Sequence, residues 1–109
     1  MEIKKVKTQP ILWFLKSKGW DVVDQNISYY ILTPPANDKN FGKNARLFVP
    51  LEKFEGTDSF ARNVKDVLGT ISFIYEIEVP DLITMFSTPL NKLKKDVHHL
   101  QSMISAASS

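Results

Sequence analysis

Residues 56–75 read GTDSFARNVKDVLGTISFIY, and this stretch predicts the longest helix of the chain. Gly56-Thr57-Asp58 supplies a turn and an N-cap, because side-chain oxygens at such a position accept from free N–H groups of the first turn. Gly69 lies in mid-helix at a cost of roughly 1 kcal/mol relative to alanine, and one interpretation is that it permits close packing. The apolar residues at helical spacing are Phe60, Val64, Val67, Leu68, Ile71, Ile74 and Tyr75, with Arg62, Lys65, Asp66, Ser72 and Glu76 opposite.

Three segments upstream of this helix have the composition of β-strands. They are Trp20–Asp24, Ser28–Thr33 and Ala45–Val49, which are rich in β-branched and aromatic residues. Gln25-Asn26 makes the first turn, and Pro34-Pro35 ends the second strand because proline cannot donate to a sheet ladder. Residues 34–44, PPANDKNFGKN, have the composition of a loop. We therefore expect an α+β fold whose three-stranded antiparallel meander has one face covered by helices.

A first helix precedes the strands. Thr8 is the predicted cap, Pro10 fits the first turn where a missing N–H is harmless, and Gly19 marks the end. The run ILWFL at residues 11–15 is apolar throughout, and five consecutive residues cannot all face the core. Trp13 or Phe14 is therefore either covered by another segment or exposed as a contact surface.

The C-terminal part of the chain has a pattern of its own. A short helix is predicted from Val79-Pro80-Asp81, with proline in the first turn and an acid near the positive end of the helix dipole. After it, apolar residues step by four and three positions, which is the spacing of an a/d heptad seam. The seam consists of Phe86, Leu90, Leu93, Val97, Leu100 and Ile104.

The predicted organisation is one α+β domain over residues 1–88, an amphipathic helix over residues 89–104 and a frayed tail over residues 105–109. Two interpretations of the seam stay open. The helix either packs on its own domain, or it forms a homodimer or binds a partner protein.

Composition excludes several classes of chemistry. The chain has no cysteine, which removes disulfides and thiolate sites and is typical of a reducing compartment. The start is charged and no apolar run is long enough to span a bilayer, so we expect a cytoplasmic protein without membrane contact. The net charge of +2 is too small to indicate nucleic acid by itself.

No catalytic, metal-binding or cofactor-binding motif emerges, and no small-molecule substrate is indicated. His98 and His99 are adjacent, so on a helix they point about 100° apart and cannot chelate one metal as an i, i+4 pair does. The carboxylates are best interpreted as surface charge, and the four glycines lack the spacing of a phosphate-binding loop. We therefore expect no catalytic residue, no metal and no cofactor.

Aromatic residues beside basic ones are the main sign of nucleic-acid binding. Tyr29 and Tyr30 on the second strand accompany Lys39, Lys43 and Arg46 in or near the following loop and strand. Stacking rings with cations are what a platform for single-stranded nucleic acid needs, although such rings in a small sheet also serve as core and cross-strand pairs. A helix-turn-helix interpretation of residues 80–95 is a further alternative, weakened by the near absence of arginine.

Two short motifs stand out within residues 10–50. Gly19-Trp20, Val23 and Gln25 lie in or beside the first predicted strand, and Leu47-Phe48-Val49-Pro50 ends the third. These residues resemble the "GW-x-x-V-x-Q" first strand and the strand ending in "V-x-V-P" of HicA-type toxins of bacterial toxin–antitoxin pairs, and the order helix, three strands, helix is that of the double-stranded-RNA-binding fold. The resemblance implies an RNase histidine on the second strand, where Tyr29 and Tyr30 stand instead. It thus implies a relative that has lost the RNase activity, since tyrosine with an ordinary pKa of about 10 is a poor general base at neutral pH.

The sequence favours a small non-enzymatic interaction module that dimerises or binds a partner protein through its C-terminal helix, in a bacterial or phage defence or toxin–antitoxin setting. The alternatives are a nucleic-acid-binding protein using the sheet aromatics and loop lysines, or a diverged HicA-like RNase.

Overall fold

A computed structural model describes residues 3–36, 41 and 45–93 of the chain. Its helices are α1 (Thr8–Ser17), α2 (Asp58–Tyr75) and α3 (Val79–Ser87), its strands are β1 (Asp21–Gln25), β2 (Tyr29–Thr33) and β3 (Leu47–Pro50), and 3-10 helices occupy Ile3–Lys5 and Glu52–Phe54. Residues 90–93 are also helical. The predicted α+β class is confirmed. Most of the predicted heptad helix and the predicted tail lie outside the described residues.

The three strands form an antiparallel sheet in the order β1-β2-β3, as predicted. The first strand begins at Asp21 rather than at the predicted Trp20, and its register shifts between Val22 and Asp24. This irregularity leaves Val23 between the paired residues, where its side chain is 55% exposed. In β3, Leu47 and Val49 are buried and Phe48 is exposed, which is the alternation of a strand with one face covered.

The start of α1 differs from the prediction. The cap position is held by Lys7, whose side chain makes no capping bond. Thr8 is instead the first helical residue and is fully buried, and its hydroxyl donates to the Pro50 carbonyl oxygen at 2.9 Å. This hydrogen bond connects α1 to the end of β3. It also gives the buried Thr8 hydroxyl the partner that a buried donor needs.

The end of α1 follows the predicted glycine stop. Gly19 has a φ of +98° and donates its N–H to the Lys16 carbonyl oxygen, and Trp20 donates to that of Leu15. These two bonds form a Schellman motif, whose left-handed position favours glycine. Trp20 comes directly before β1, and its ring is buried. The indole N–H donates to the Tyr75 hydroxyl at 2.8 Å.

Helix α2 begins as the sequence predicts. The Thr57 side chain accepts from the Phe60 N–H at 3.1 Å, which satisfies one of the free donors of the first turn. Gly69 is exposed, and a Cβ built there meets no atom within 4 Å. Close packing is therefore not the reason for this glycine.

The core lies where the helices cover the inner face of the sheet. Phe14 on α1 packs edge-to-face against Tyr75 of α2 and Phe86 of α3, with ring centroids 5.6 Å apart in both pairs. Val6, Ile11, Leu15, Leu32, Val49, Phe60, Val64, Leu68, Ile71, Leu82 and Phe86 are fully buried. Within the described ranges, no helix has the length and apolar character needed to cross a membrane.

Candidate binding groove between β3 and α2

The outer face of the sheet carries an aromatic pair at the β3 edge. Residues directly opposite each other in a sheet share a face, and successive residues alternate. Leu32 opposite Leu47 therefore points inward, whereas Ile31 opposite Phe48 points outward. Tyr29 and Phe48 pack edge-to-face with ring centroids 6.0 Å apart, and Phe48 stays 47% exposed.

A groove of about 530 Å³ lies beside this pair, between β3 and α2. We call it the β3–α2 groove. Its lining residues are Asn26, Tyr29, Arg46, Leu47, Phe48, Asn63, Asp66, Val67 and Thr70. Leu47 and Val67 are buried and supply apolar lining. The other lining residues combine two rings with amide, hydroxyl, guanidinium and carboxylate groups, a mixture that suits recognition of a polar chain with apolar side groups.

Helix α2 contributes a strip of polar side chains to the lining of the groove. Asn63, Asp66 and Thr70 are three and four residues apart, so their side chains follow one strip of the helix surface. Phe73 continues that strip by three residues and is 87% exposed. The sequence does not reveal this strip, because polar residues opposite an apolar face look like an ordinary solvated surface.

The two tyrosines predicted as one platform lie on opposite faces of β2. Tyr29 lines the groove, whereas the Tyr30 ring packs against the core. The Tyr30 hydroxyl donates to the Glu52 carboxylate, with oxygen distances of 2.7 and 2.8 Å. This hydrogen bond, then burial and the negative charge of Glu52, raise the pKa of Tyr30 above its ordinary value.

Arg46 joins Tyr29 in the groove, and its guanidinium donates to the Ala45 carbonyl oxygen at 2.8 Å. Lys39 and Lys43, the other predicted nucleic-acid contacts, lie outside the described residues. The groove therefore brings together two of the five predicted nucleic-acid contacts, beside the negative charge of Asp66.

The predicted protein-interface residues divide into buried, half-buried and undescribed positions. Phe14, Phe86 and Leu93 are buried, while Trp13 and Leu90 are half-buried. Val97, Leu100 and Ile104 lie outside the described residues. Phe86, the first position of the heptad seam, belongs to the core of its own chain.

Ion pairs and metal-ligand groups add no second site in the described ranges. Lys4 pairs with Asp58 at 2.6 Å on the surface, and this contact lowers the pKa of the Asp58 carboxyl and raises that of Lys4. No group of three or more His, Asp or Glu side chains suited to a metal ion occurs within residues 3–36, 41 and 45–93. His98 and His99 are outside those ranges.

Comparison of the chain with protein-family models, with curated proteins and with solved structures gives no match. The HicA-type resemblance therefore stays a prediction.

Proposed function

We propose that this chain is a non-enzymatic interaction module that binds a partner protein in the β3–α2 groove. The observation that carries the proposal is the groove itself, where the exposed Phe48 ring and the polar strip of α2 flank buried apolar residues. Exposed aromatic and arginine side chains around a depression are typical of protein-binding surfaces, which such residues often anchor.

The test uses two matched threonines. Thr70 lines the groove and Thr84 lies on α3, and each exposed hydroxyl donates to the carbonyl oxygen four residues earlier, at 3.1 and 3.2 Å. Tagged wild-type chain is used to isolate a partner, which is then purified and titrated against each variant. Thr70→Arg should fill the groove and weaken binding by about tenfold or more, whereas Thr84→Arg should bind like wild type.

Equal affinities of the two arginine variants for the purified partner would contradict the use of this groove. Circular dichroism and thermal unfolding of both variants provide the control for folding.

The heptad seam supports a second contact surface in the same proposal, a homodimer or partner contact through the C-terminal helix. Because Phe86 is already buried in its own chain, this contact depends on the later seam positions. Leu100→Lys should lower the mass measured by light scattering from dimer to monomer, while Gln101→Lys, off the seam, should leave it unchanged. A wild-type monomer across the accessible concentration range would contradict dimerisation.

Nucleic-acid binding is the second candidate function, favoured by the presence of Tyr29, Phe48 and Arg46 around one groove. The carboxylate of Asp66 opposes it, since a phosphate in the groove would meet a negative charge. Binding of labelled single-stranded RNA and DNA should then weaken as salt rises, and Arg46→Gln should reduce the salt slope by about 1. No binding at low salt would end this alternative.

The HicA-type resemblance adds a cytoplasmic bacterial or phage defence setting to the proposal. An RNase role would need a general base on β2, and the raised pKa of Tyr30 makes that hydroxyl a weaker base candidate still. A neighbouring antitoxin-like gene would support the setting, and an unrelated gene neighbourhood would count against it.

A further inference from the structure

The β3 strand has an open main-chain edge beside the groove. Among the described residues, it is the last strand of the sheet and pairs with β2 alone. In an antiparallel pair, opposite residues alternate between those that exchange hydrogen bonds and those whose N–H and C=O groups point away from the partner strand. The Leu51 N–H donates to the Ser28 carbonyl oxygen at 3.1 Å, which fixes the phase of this alternation.

Leu51 is a hydrogen-bonded position, and Phe48 lies three residues before it, so Phe48 is one of the alternate positions. Phe48, opposite Ile31, therefore points its N–H and C=O away from β2. Pro50, two residues later, should have the same orientation. Its carbonyl oxygen does point away from β2, since it accepts from the Thr8 hydroxyl on the far side of the strand. In the described part of the chain, no bond from another residue reaches the outward N–H or C=O of Phe48.

Pro50 also closes one end of this edge. It has no N–H, and its outward carbonyl is already bonded to Thr8. The stretch of this edge beside the groove runs over Arg46, Leu47 and Phe48, the three β3-side residues that line the groove, and Leu47 within it turns its own N–H and C=O to β2. The unpaired main chain and the groove are one site.

We propose that the β3–α2 groove takes an extended segment of the partner protein, which adds to β3 as a fourth strand. This proposal rests on the proposed function and specifies its mode of binding. An N–H and a C=O presented by a single residue are matched by the C=O and N–H of one opposite residue in extended conformation. A helical segment has used these groups internally and cannot match them.

The side chains around the edge define the chemistry of that segment. The residue opposite Phe48 shares its face of the sheet and meets the Phe48 and Tyr29 rings, so it is apolar. A residue two positions away lies opposite Arg46, where a carboxylate pairs with the guanidinium. The residue between them points to the side covered by α2, where Asp66 favours a basic or polar group. The segment is thus extended, with an acidic and an apolar residue flanking a basic or polar one.

The test begins with random peptides displayed on phage, selected on the full-length chain and counter-selected on Thr70→Arg. A synthetic copy of the best peptide is then N-methylated at one main-chain position at a time. Strand addition predicts a loss of about tenfold at the positions whose N–H faces β3, and little change at the alternate positions. Uniform sensitivity, or none, overturns the proposal.

The protein side is tested with two substitutions at one position. Phe48→Ala keeps the outward N–H, whereas Phe48→Pro removes it without removing a bond to β2. Peptide affinity should be about tenfold lower for Phe48→Pro than for Phe48→Ala. Equal affinities of the two folded variants overturn the proposal, and if Phe48→Pro does not fold, the N-methyl series decides.

The outcomes separate this proposal from the function on which it rests. Peptides that need Thr70 but show no alternation in the N-methyl series would contradict strand addition and leave groove binding supported. Failure to select any peptide sensitive to Thr70→Arg also overturns strand addition, while the purified-partner titration decides the function independently.

Discussion

At the scale of single residues, the neighbours Tyr29 and Tyr30 have different surroundings. Strand geometry turns successive side chains to opposite faces, so Tyr29 reaches the groove and Tyr30 reaches the core and Glu52. Their composition left a shared aromatic platform open as the nucleic-acid alternative, but the register with β3 decides which ring is accessible. The Glu52 partner could not be predicted, because it comes from a 3-10 helix far along the chain.

The Tyr30–Glu52 hydrogen bond makes stability depend on pH in the alkaline range. Folding raises the pKa of Tyr30 above its ordinary value of 10.0, so the contribution of the bond is fully present below pH 10.0. It is lost as pH rises through the folded-state pKa. Tyr30→Phe should cost about 1 kcal/mol at pH 7, and its deficit relative to wild type should shrink above pH 10.

The measurement is urea unfolding of wild type and variant at a series of pH values. Tyr29→Phe is the control, since no hydrogen bond of the Tyr29 hydroxyl occurs within the described ranges, and its difference from wild type should stay within about 0.5 kcal/mol. A deficit of Tyr30→Phe that is constant through the alkaline range would contradict this account.

At the scale of secondary-structure elements, capping and glycine signals in the sequence predicted two helix ends correctly. The Gly19 stop of α1 and the cap of α2 within Gly56-Thr57-Asp58, which Thr57 provides, were both confirmed, because these signals act within one turn of the chain. The predicted cap at Thr8 was wrong for the opposite reason. Its hydroxyl bonds to Pro50, a distant residue that only the packing of α1 against β3 brings near.

Helix α2 should gain stability from Gly69→Ala. The site is exposed mid-helix with open space around the added methyl group, so the change removes backbone freedom from the unfolded state at no steric cost. We expect about 1 kcal/mol of stabilisation and a melting temperature several degrees higher by calorimetry.

Gly56→Ala is the matched control for this helix prediction. Its Cβ also meets nothing within 4 Å, but φ is +83°, so the same methyl group introduces backbone strain. We expect a loss of about 1 kcal/mol there. A loss of stability in both variants would contradict the account of Gly69.

At the scale of the whole molecule, the helices and the inner face of the sheet share one core that uses residues from both ends of the described chain. Phe86 was predicted to start an interface, and it is fully buried against Phe14. Phe73, which was not predicted to contact anything, is 87% exposed. Heptad spacing identifies an apolar face and does not identify what covers it.

Substitutions of Phe86 and Phe73 test whether the first is in the core and the second on the surface. Phe86→Ala should cost about 3–5 kcal/mol in the free energy of unfolding, because it leaves a cavity among packed rings. Phe73→Ala should change stability by less than about 0.5 kcal/mol. Chemical denaturation measures both, and the milder Phe86→Leu should fall between them. Similar effects of the two alanine substitutions would contradict the position of Phe86 in the core.

The α+β class, the three-strand meander and most helix ends follow from local sequence signals, because hydrophobic periodicity, caps and turn residues act over a few residues. Which side chains share a site depends instead on contacts between distant parts of the chain. Tyr29, Arg46 and Asp66 lie on three different elements, and the strand register and the packing of α2 beside β3 bring them to one groove. Strand pairing likewise leaves the N–H and C=O of Phe48 open in the described part of the chain, because a strand's own sequence does not tell which of its two edges pairs with a neighbour.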